Sequence, residues 1–226
     1  MFANTACNVL SFQSCPVLKR ERAREAPEGC RRHLRQGEHL FYEGDTAKHV
    51  FEVISGTLRL ARVQRDGRRQ VMTFGLPGDL VGLPVDGRHS AECDAVEPCE
   101  VIAHRFDPLS PPERWPDLNA RVLNAALEEI HALQDHFLTL GRRSACEKVA
   151  AFLLWLGSRV GARAGRHRRV HLAMNRADIA DHLGLTPETV SRTITQLRES
   201  GLLALDGAQT VVILDPDGMR VLAEGG

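Results

Sequence analysis

The sequence predicts an α+β chain: an antiparallel β-sandwich or barrel, then one long helix, then a winged helix-turn-helix. Three observations carry this prediction. Short β-rich segments alternate with glycine turns from Arg35 onward. A glycine-free stretch ending at Leu140 carries apolar residues at helical spacing. The segment Asn175 to Gly201 reads as two abutting capped helices, with a hairpin pattern after it. At 226 residues and 43% hydrophobic content, the chain is long enough to bury two modest cores. The expected division is a tail over 1–30, a sensor-like barrel over 31–112, a dimerising helix over 113–141 and a DNA-binding unit over 142–226.

Charge is balanced overall, 29 basic against 29 acidic residues, so a nucleic-acid footprint must come from its distribution. Residues 31–141 carry 13 Lys/Arg against 17 Asp/Glu, net −4, whereas 142–203 carry 11 against 5, net +6. That asymmetry is expected when one unit meets phosphate and the other does not. The opening stretch has no basic residue before Lys19, and the longest apolar run, Val149 to Leu156, is far too short to cross a bilayer. A cytoplasmic protein with no membrane partner is expected, and its six cysteines are then expected to be unpaired.

Taken in order, residues 1–30 hold scattered Cys and Pro and a mixed-charge run from Lys19 to Glu25, the pattern of a loosely ordered tail. Strand signals follow at Phe41-Tyr42, Val50 to Ile54, Thr57 to Val63, Arg69 to Phe74, Leu80-Val81 and Val96 to His104. Between them stand the turn signals Gly44-Asp45, Ser55-Gly56 and Asp66-Gly67, the last suited to a hairpin because both residues tolerate positive φ. A proline cluster, Pro108 to Pro116, closes the β region. Leu123, Ala126, Ile130, Leu133, Phe137 and Leu140 then recur at alternating three- and four-residue steps, a heptad seam suited to pairing with a second copy. The alternative is an amphipathic helix packed on its own barrel. A second helix is expected from Ser144, with Glu147 completing a capping box, closed by Gly157 and Gly161. A basic loop from Gly161 to Arg169 and a strand from Val170 to Met174 lead into the next unit.

There Asn175 caps a first short helix with Ile179, Ala180 and Leu183 inward, Gly184 supplies a tight turn, and Thr186 caps a second helix with Pro187 at its first position. The second helix buries Val190, Ile194 and Leu197, which frees the opposite face for a major groove. Glu188, Ser191 and Arg192 lie there at i, i+3 and i+4. Arg192 can pair with guanine O6 and N7, Glu188 can accept from an exocyclic base amine, and Ser191 can bond a base or a phosphate. Thr186, Thr189 and Thr195 complete the expected DNA-contacting set. Leu202 to Leu205, Asp206-Gly207 and Thr210 to Leu214 read as the wing. His33, His39, His49, His104, His131 and His136 are scattered and read as surface residues. A cupin-like enzyme would need clustered His and Glu ligands, so no catalytic role is expected.

Barrel, long helix and winged helix in this order resemble the Crp/Fnr family of bacterial regulators over roughly residues 31–215. In the barrel the resemblance rests on Gly37, Gly44-Asp45, Ser55-Gly56-Thr57, Asp66 to Gln70 and Pro77 to Gly82. In the C-terminal unit it rests on Asp178-Ile179-Ala180, Leu183 to Thr186 and Glu188 to Arg192. The Glu-x-x-Ser-Arg pattern and Gly141-Arg142-Arg143 are most similar to the FixK-type branch and its Fnr neighbours. The resemblance implies a cyclic-nucleotide-binding-like antiparallel β-barrel of jelly-roll type and a homodimer on double-stranded DNA resembling TTGAT, a four-base spacer and ATCAA. It also implies RNA polymerase as partner and activation linked to low oxygen or redox state. Cyclic-AMP-binding relatives use a glutamate and an Arg-Ser pair in the barrel. Here Asp79 stands at the glutamate position and His89-Ser90 at the pair, with Arg88 one residue early, so these four are the candidate effector residues. Fnr-type sensors hold a four-iron four-sulfur cluster on four cysteines; the corresponding set here is Cys99 with the more widely spaced Cys7, Cys15 and Cys30. FixK-like proteins generally lack the cluster, so no resident cofactor is expected, with an Fnr-type cluster or a nucleotide-responsive barrel as the alternatives.

Overall fold

The computed structural model describes residues 29–106, 116–142, 144–165 and 167–225, with side chains described outside 135–142. Cys7, Cys15, the run from Lys19 to Glu25 and most of the proline cluster lie outside the described residues. Among the described residues the barrel holds eight strands: β1 (Cys30–Leu34), β2 (His39–Phe41), β3 (His49–Ser55), β4 (Leu58–Val63), β5 (Arg69–Gly75), β6 (Leu80–Val81), β7 (Glu92–Ala95) and β8 (Cys99–Arg105). They form two four-stranded antiparallel sheets ordered β1-β8-β3-β6 and β2-β7-β4-β5. Alternation puts Phe51, Val53 and Val101 of the first sheet and Phe41, Leu58 and Cys93 of the second into one shared core. The Ser55-Gly56 turn demands glycine. Its φ is +83° and a Cβ there would stand 2.5 Å from the Pro98 carbonyl oxygen. At the β4–β5 hairpin Gly67 alone takes positive φ, at 82°, and the Gln64 amide donates to the Arg68 carbonyl at 2.8 Å.

Helix α1 (Pro116–Arg142) follows, then α2 (Ala145–Val160). Ser144 caps α2 by accepting the Glu147 amide at 3.3 Å. The Glu147 carboxylate takes the Ser144 hydroxyl at 2.8 Å, so the reciprocal half of the expected box is replaced by a side-chain bond. Gly157 does not end the helix. It is a buried position inside it, where a Cβ would meet Val170 and Ile213 at 3.2 and 3.3 Å, and Gly161 is the cap. The expected basic loop is a hairpin of β9 (Ala162–Ala164) and β10 (His167–His171). The strand therefore ends three residues before Met174, because the Leu172 amide turns to the Gln209 carbonyl.

The remaining elements are α3 (Arg176–Leu183), α4 (Pro187–Glu199), β11 (Leu203–Leu205), β12 (Thr210–Ile213) and α5 (Pro216–Glu224). Sheet order β11-β12-β10-β9 makes the wing continuous with the β9–β10 hairpin. Helix α5 was not evident in the sequence. Asp215 caps it, Pro216 opens it, and Met219 and Ala223 are buried, too few apolar steps to show a period. The second core joins Val149, Leu153 and Leu156 of α2 to Ile179, Val190, Val211 and Met219. It does not stop at the unit's edge. Ala61, Val71, Phe74, Leu76 and Val96 of the barrel belong to the same buried cluster, so the β4–β5 side of the barrel is seated on the helix-turn-helix. Among the described residues no helix is long and apolar enough to cross a membrane.

Candidate nucleic-acid interface

Local chemistry alone specifies α3 and α4. The Asn175 side chain accepts the Asp178 amide at 2.8 Å while the Asp178 carboxylate accepts the Asn175 amide at 3.3 Å, a complete capping box. Gly184 stops α3 in the left-handed region at φ 63°. Thr186 then caps α4 by accepting the Thr189 amide at 3.2 Å, with Pro187 at the first position. Ile179, Ala180 and Leu183 are buried on α3, and Val190, Ile194 and Leu197 on α4.

The opposite face of α4 is open. Glu188, Ser191 and Arg192 are exposed, and Thr189 and Thr195 are half-buried beside them. The hydroxyls of this face are already occupied along the helix: Ser191 donates to the Pro187 carbonyl at 2.9 Å, Thr195 to the Ser191 carbonyl at 3.1 Å, and Thr186 and Thr189 share a bond at 3.0 Å. The Glu188 carboxyl is held below its usual range, first by its own backbone amide and then by the Thr186 hydroxyl, so it is anionic at the positive end of the helix. Among the described residues Arg192 has no hydrogen-bond or ion-pair partner. An exposed guanidinium fork between an acceptor and a hydroxyl, on the first turns of a capped helix, is a surface that can exchange hydrogen bonds with base edges.

The candidate effector residues meet only in part. Asp79, His89 and Ser90 line a cleft of about 1310 Å³ that runs between barrel, α1 and α2, and Arg88 does not. The Arg88 guanidinium donates to the Gly44 carbonyl at 2.7 Å. Asp79 is taken by Arg159 of α2 and by the Leu76 amide at 2.9 Å. His89 is buried and stacked on Phe41 at 3.8 Å with Nδ1 lacking a hydrogen-bond partner, and burial lowers its pKa. A cyclic nucleotide needs a free acid for its ribose and a cation for its phosphate. Both groups are spoken for, so these residues do not fit it.

Among the described residues, Cys30 and Cys99 do not fit one cluster. Cys99 is buried on β8, its Sγ against the Thr57 and Glu97 carbonyls at 3.3 and 3.1 Å, and burial pushes its thiol up to about 11. Cys30 is exposed and pairs with Ala103, while Cys99 pairs with Leu34. Four ladder positions separate them, about 13 Å at strand rise, too far for two irons' ligands on one cubane. Cys93 is buried with its thiol raised by desolvation, and Cys146 is half-buried against the Gln196 side chain at 3.4 Å. On α1, Leu123, Ile130 and Leu133 are 61, 51 and 45% exposed and Ala126 is half-buried. Phe137 and Leu140 lie in the helix, with side chains outside the described residues.

Sequence reasoning missed what α3 does away from α4. Asp178 appeared only as part of a motif, yet it is buried against two barrel arginines. His104, read as a surface residue, is 2% exposed and bound to Glu52. Pairings this distant leave no local trace in the sequence.

Two family models match the chain: a cyclic nucleotide-binding domain over residues 31–108 and a Crp-like helix-turn-helix domain over 147–222. The nitrogen fixation regulation protein FixK of Bradyrhizobium diazoefficiens is 40% identical over 219 residues, 96% of this chain and 92% of that protein. The transcriptional activatory protein AadR of Rhodopseudomonas palustris is 42% identical over 84% of this chain and 77% of that one. The solved structure of FixK2 from Bradyrhizobium japonicum matches with a TM-score of 0.78 at 34% identity, covering 86% of this chain and 96% of that one. With the helix-turn-helix in place, this extent of identity means that the chain belongs to the Crp/Fnr family of DNA-binding transcription regulators, in its FixK-type branch.

Proposed function

We propose that the protein is a homodimeric activator that binds a pseudo-palindrome resembling TTGAT, a four-base spacer and ATCAA. In this reading Glu188, Ser191 and Arg192 read base edges and Thr186, Thr189 and Thr195 complete the contact surface. The exposed apolar row on α1 pairs two copies, so residues 113–141 serve as the dimerising element between the barrel (31–112) and the DNA-binding unit (142–226). RNA polymerase is the partner, the site of action is the cytoplasm, and the genes served respond to low oxygen or redox state, as the nitrogen-fixation name of the FixK relative suggests. The reading includes no resident cofactor. It is supported by the separation of Cys30 from Cys99 and by the prior engagement of Asp79 and Arg88.

The observation that carries the reading is Arg192, exposed and without a partner among the described residues, on the first turns of α4. Arg192→Ala should cost about 1–3 kcal/mol in binding and relax discrimination at one guanine per half-site. Gel shifts on operators substituted one base at a time measure this. Unchanged preference at every base would reject the assignment.

A further inference from the structure

The barrel meets α3 through a charged seam laid over the shared apolar cluster. Asp178, the third residue of α3, has a side chain 2% exposed. It receives the guanidinium of Arg59 from β4 and that of Arg69 from β5, the latter at 2.7 Å. Arg59 also holds Asp94 of β7 through two bonds at 3.0 and 2.7 Å, and Arg69 holds Asp181 through two at 3.2 and 2.9 Å. The Gln70 side-chain Nε2 donates to the Asp181 carbonyl, and His182 Nδ1 to the Val71 carbonyl at 3.3 Å. Five contacts, made by Asp178, Asp181 and His182, thus run along one side of α3.

These two kinds of contact do different things. Apolar surfaces adhere without preferring one rotation, since dispersion and hydrophobic burial are non-directional. Paired guanidinium forks are directional, and a carboxylate as dry as Asp178 is costly unless each bond is made. The seam therefore selects one orientation of α3. Because α3 packs on α4, it selects the orientation of the recognition helix as well. The same docking leaves Glu188, Ser191 and Arg192 exposed, so it is compatible with a bound operator. The FixK2 structure matches at a TM-score of 0.78 across 86% of the chain, a span that includes both barrel and helix-turn-helix.

We propose that Arg59 and Arg69 are positioning residues: by fixing the helix-turn-helix on the barrel, they set which half-site separation the dimer accepts. This rests on the dimeric palindrome reading above, in which two recognition helices stand about 34–36 Å apart. A rigid mount penalises every other separation. A loosened mount lets each helix-turn-helix follow its own half-site.

The test uses the full-length chain and fluorescence-labelled palindromes whose spacer is the preferred length, or is shortened or lengthened by one or two base pairs. Wild type should favour one spacer. Arg69→Asp, which faces both Asp178 and Asp181 with a like charge, should shrink the affinity ratio between preferred and altered spacers by about tenfold, a change of about 1.4 kcal/mol. Arg69→Asp combined with Asp181→Arg should restore the ratio. Arg69→Gln leaves Arg59 on Asp178 and should move the ratio the same way, less far; it replaces the charge reversal if circular dichroism shows that variant unfolded. A wild-type ratio kept in the folded variants overturns the positioning role, whatever happens to overall affinity. A wild type indifferent to spacer length overturns the palindrome reading and the positioning role with it.

Discussion

Glu52 shows how much one side chain can connect. Its carboxylate on β3 meets His104 Nε2 at 3.0 Å and Arg121 of α1 at 2.8 Å. The His104 bond, with Arg121 behind it, outweighs burial and holds the Glu52 pKa at about 2 against an unfolded value near 4.5. A folded pKa below the unfolded one means that the stabilisation is complete above pH 4.5 and is lost as pH falls toward 2. Glu52→Gln should therefore flatten the acid limb of the stability curve in that window, read from urea midpoints. An acid limb as steep as wild type would show that other carboxylates govern it. None of this was legible from residue types, because a lone Glu on an alternating strand reads as solvent-facing. The exposed face of α4 was legible at the same scale, since Glu188, Ser191 and Arg192, the residues proposed to read bases, sit at fixed steps within one helix. What the residue names left out is that Ser191 and Thr195 bond backward to carbonyls one turn earlier.

At the scale of elements, caps and turns carried most of the information. Asn175, Gly184 and the Thr186-Pro187 pair mark three helix boundaries within thirteen residues, each by a bond or conformation that its own neighbours complete. Of the two glycines expected to close α2, Gly161 is the cap, whereas Gly157 is a contact point for β10 and β12. Helix α1 is the element whose surface most invites a partner: Leu123, Leu127, Ile130 and Leu133 are each about half exposed, and leucines and isoleucines left this open gain roughly 25 cal/mol per Å² when covered. Ile130→Glu puts a charge into that seam, and burying it unpaired is far costlier than the apolar contact it replaces. Sedimentation velocity should show a monomer, with palindrome affinity falling to that of a single half-site. A variant that remains dimeric would place the interface elsewhere on the chain.

Across the whole molecule the two units are not beads on a string. Phe74 of β5 is 2% exposed and meets Phe152 of α2 at 6.1 Å and His182 of α3 at 5.5 Å, both edge to face. It is the apolar counterpart of the Arg59 and Arg69 seam. Phe74→Ala should cost about 3–5 kcal/mol and, because the lost contacts lie between the units, should separate their unfolding. Calorimetry is expected to turn one transition into two, the lower belonging to the helix-turn-helix. A single transition at reduced temperature would mean that the rest of the shared apolar cluster and the ion pairs, Arg159–Asp79 among them, keep the units coupled.

The amino-acid sequence by itself determined the order of units, the antiparallel barrel, the capped helix pair, the wing and which face of α4 is left exposed. All of these follow from signals a few residues apart: alternation, helical period, caps and glycine turns. Only the tertiary structure decided that β4 and β5 dock on α3, that Asp178 is shared by two arginines, that Asp79 is engaged by Arg159 and that His104 is buried on Glu52. Each of these joins groups distant in the chain, and which acid meets which arginine depends on how two finished surfaces fit. Burial then changes what the residues are worth. A carboxylate that would be one of many in water becomes, when dry, a group whose every bond must be made.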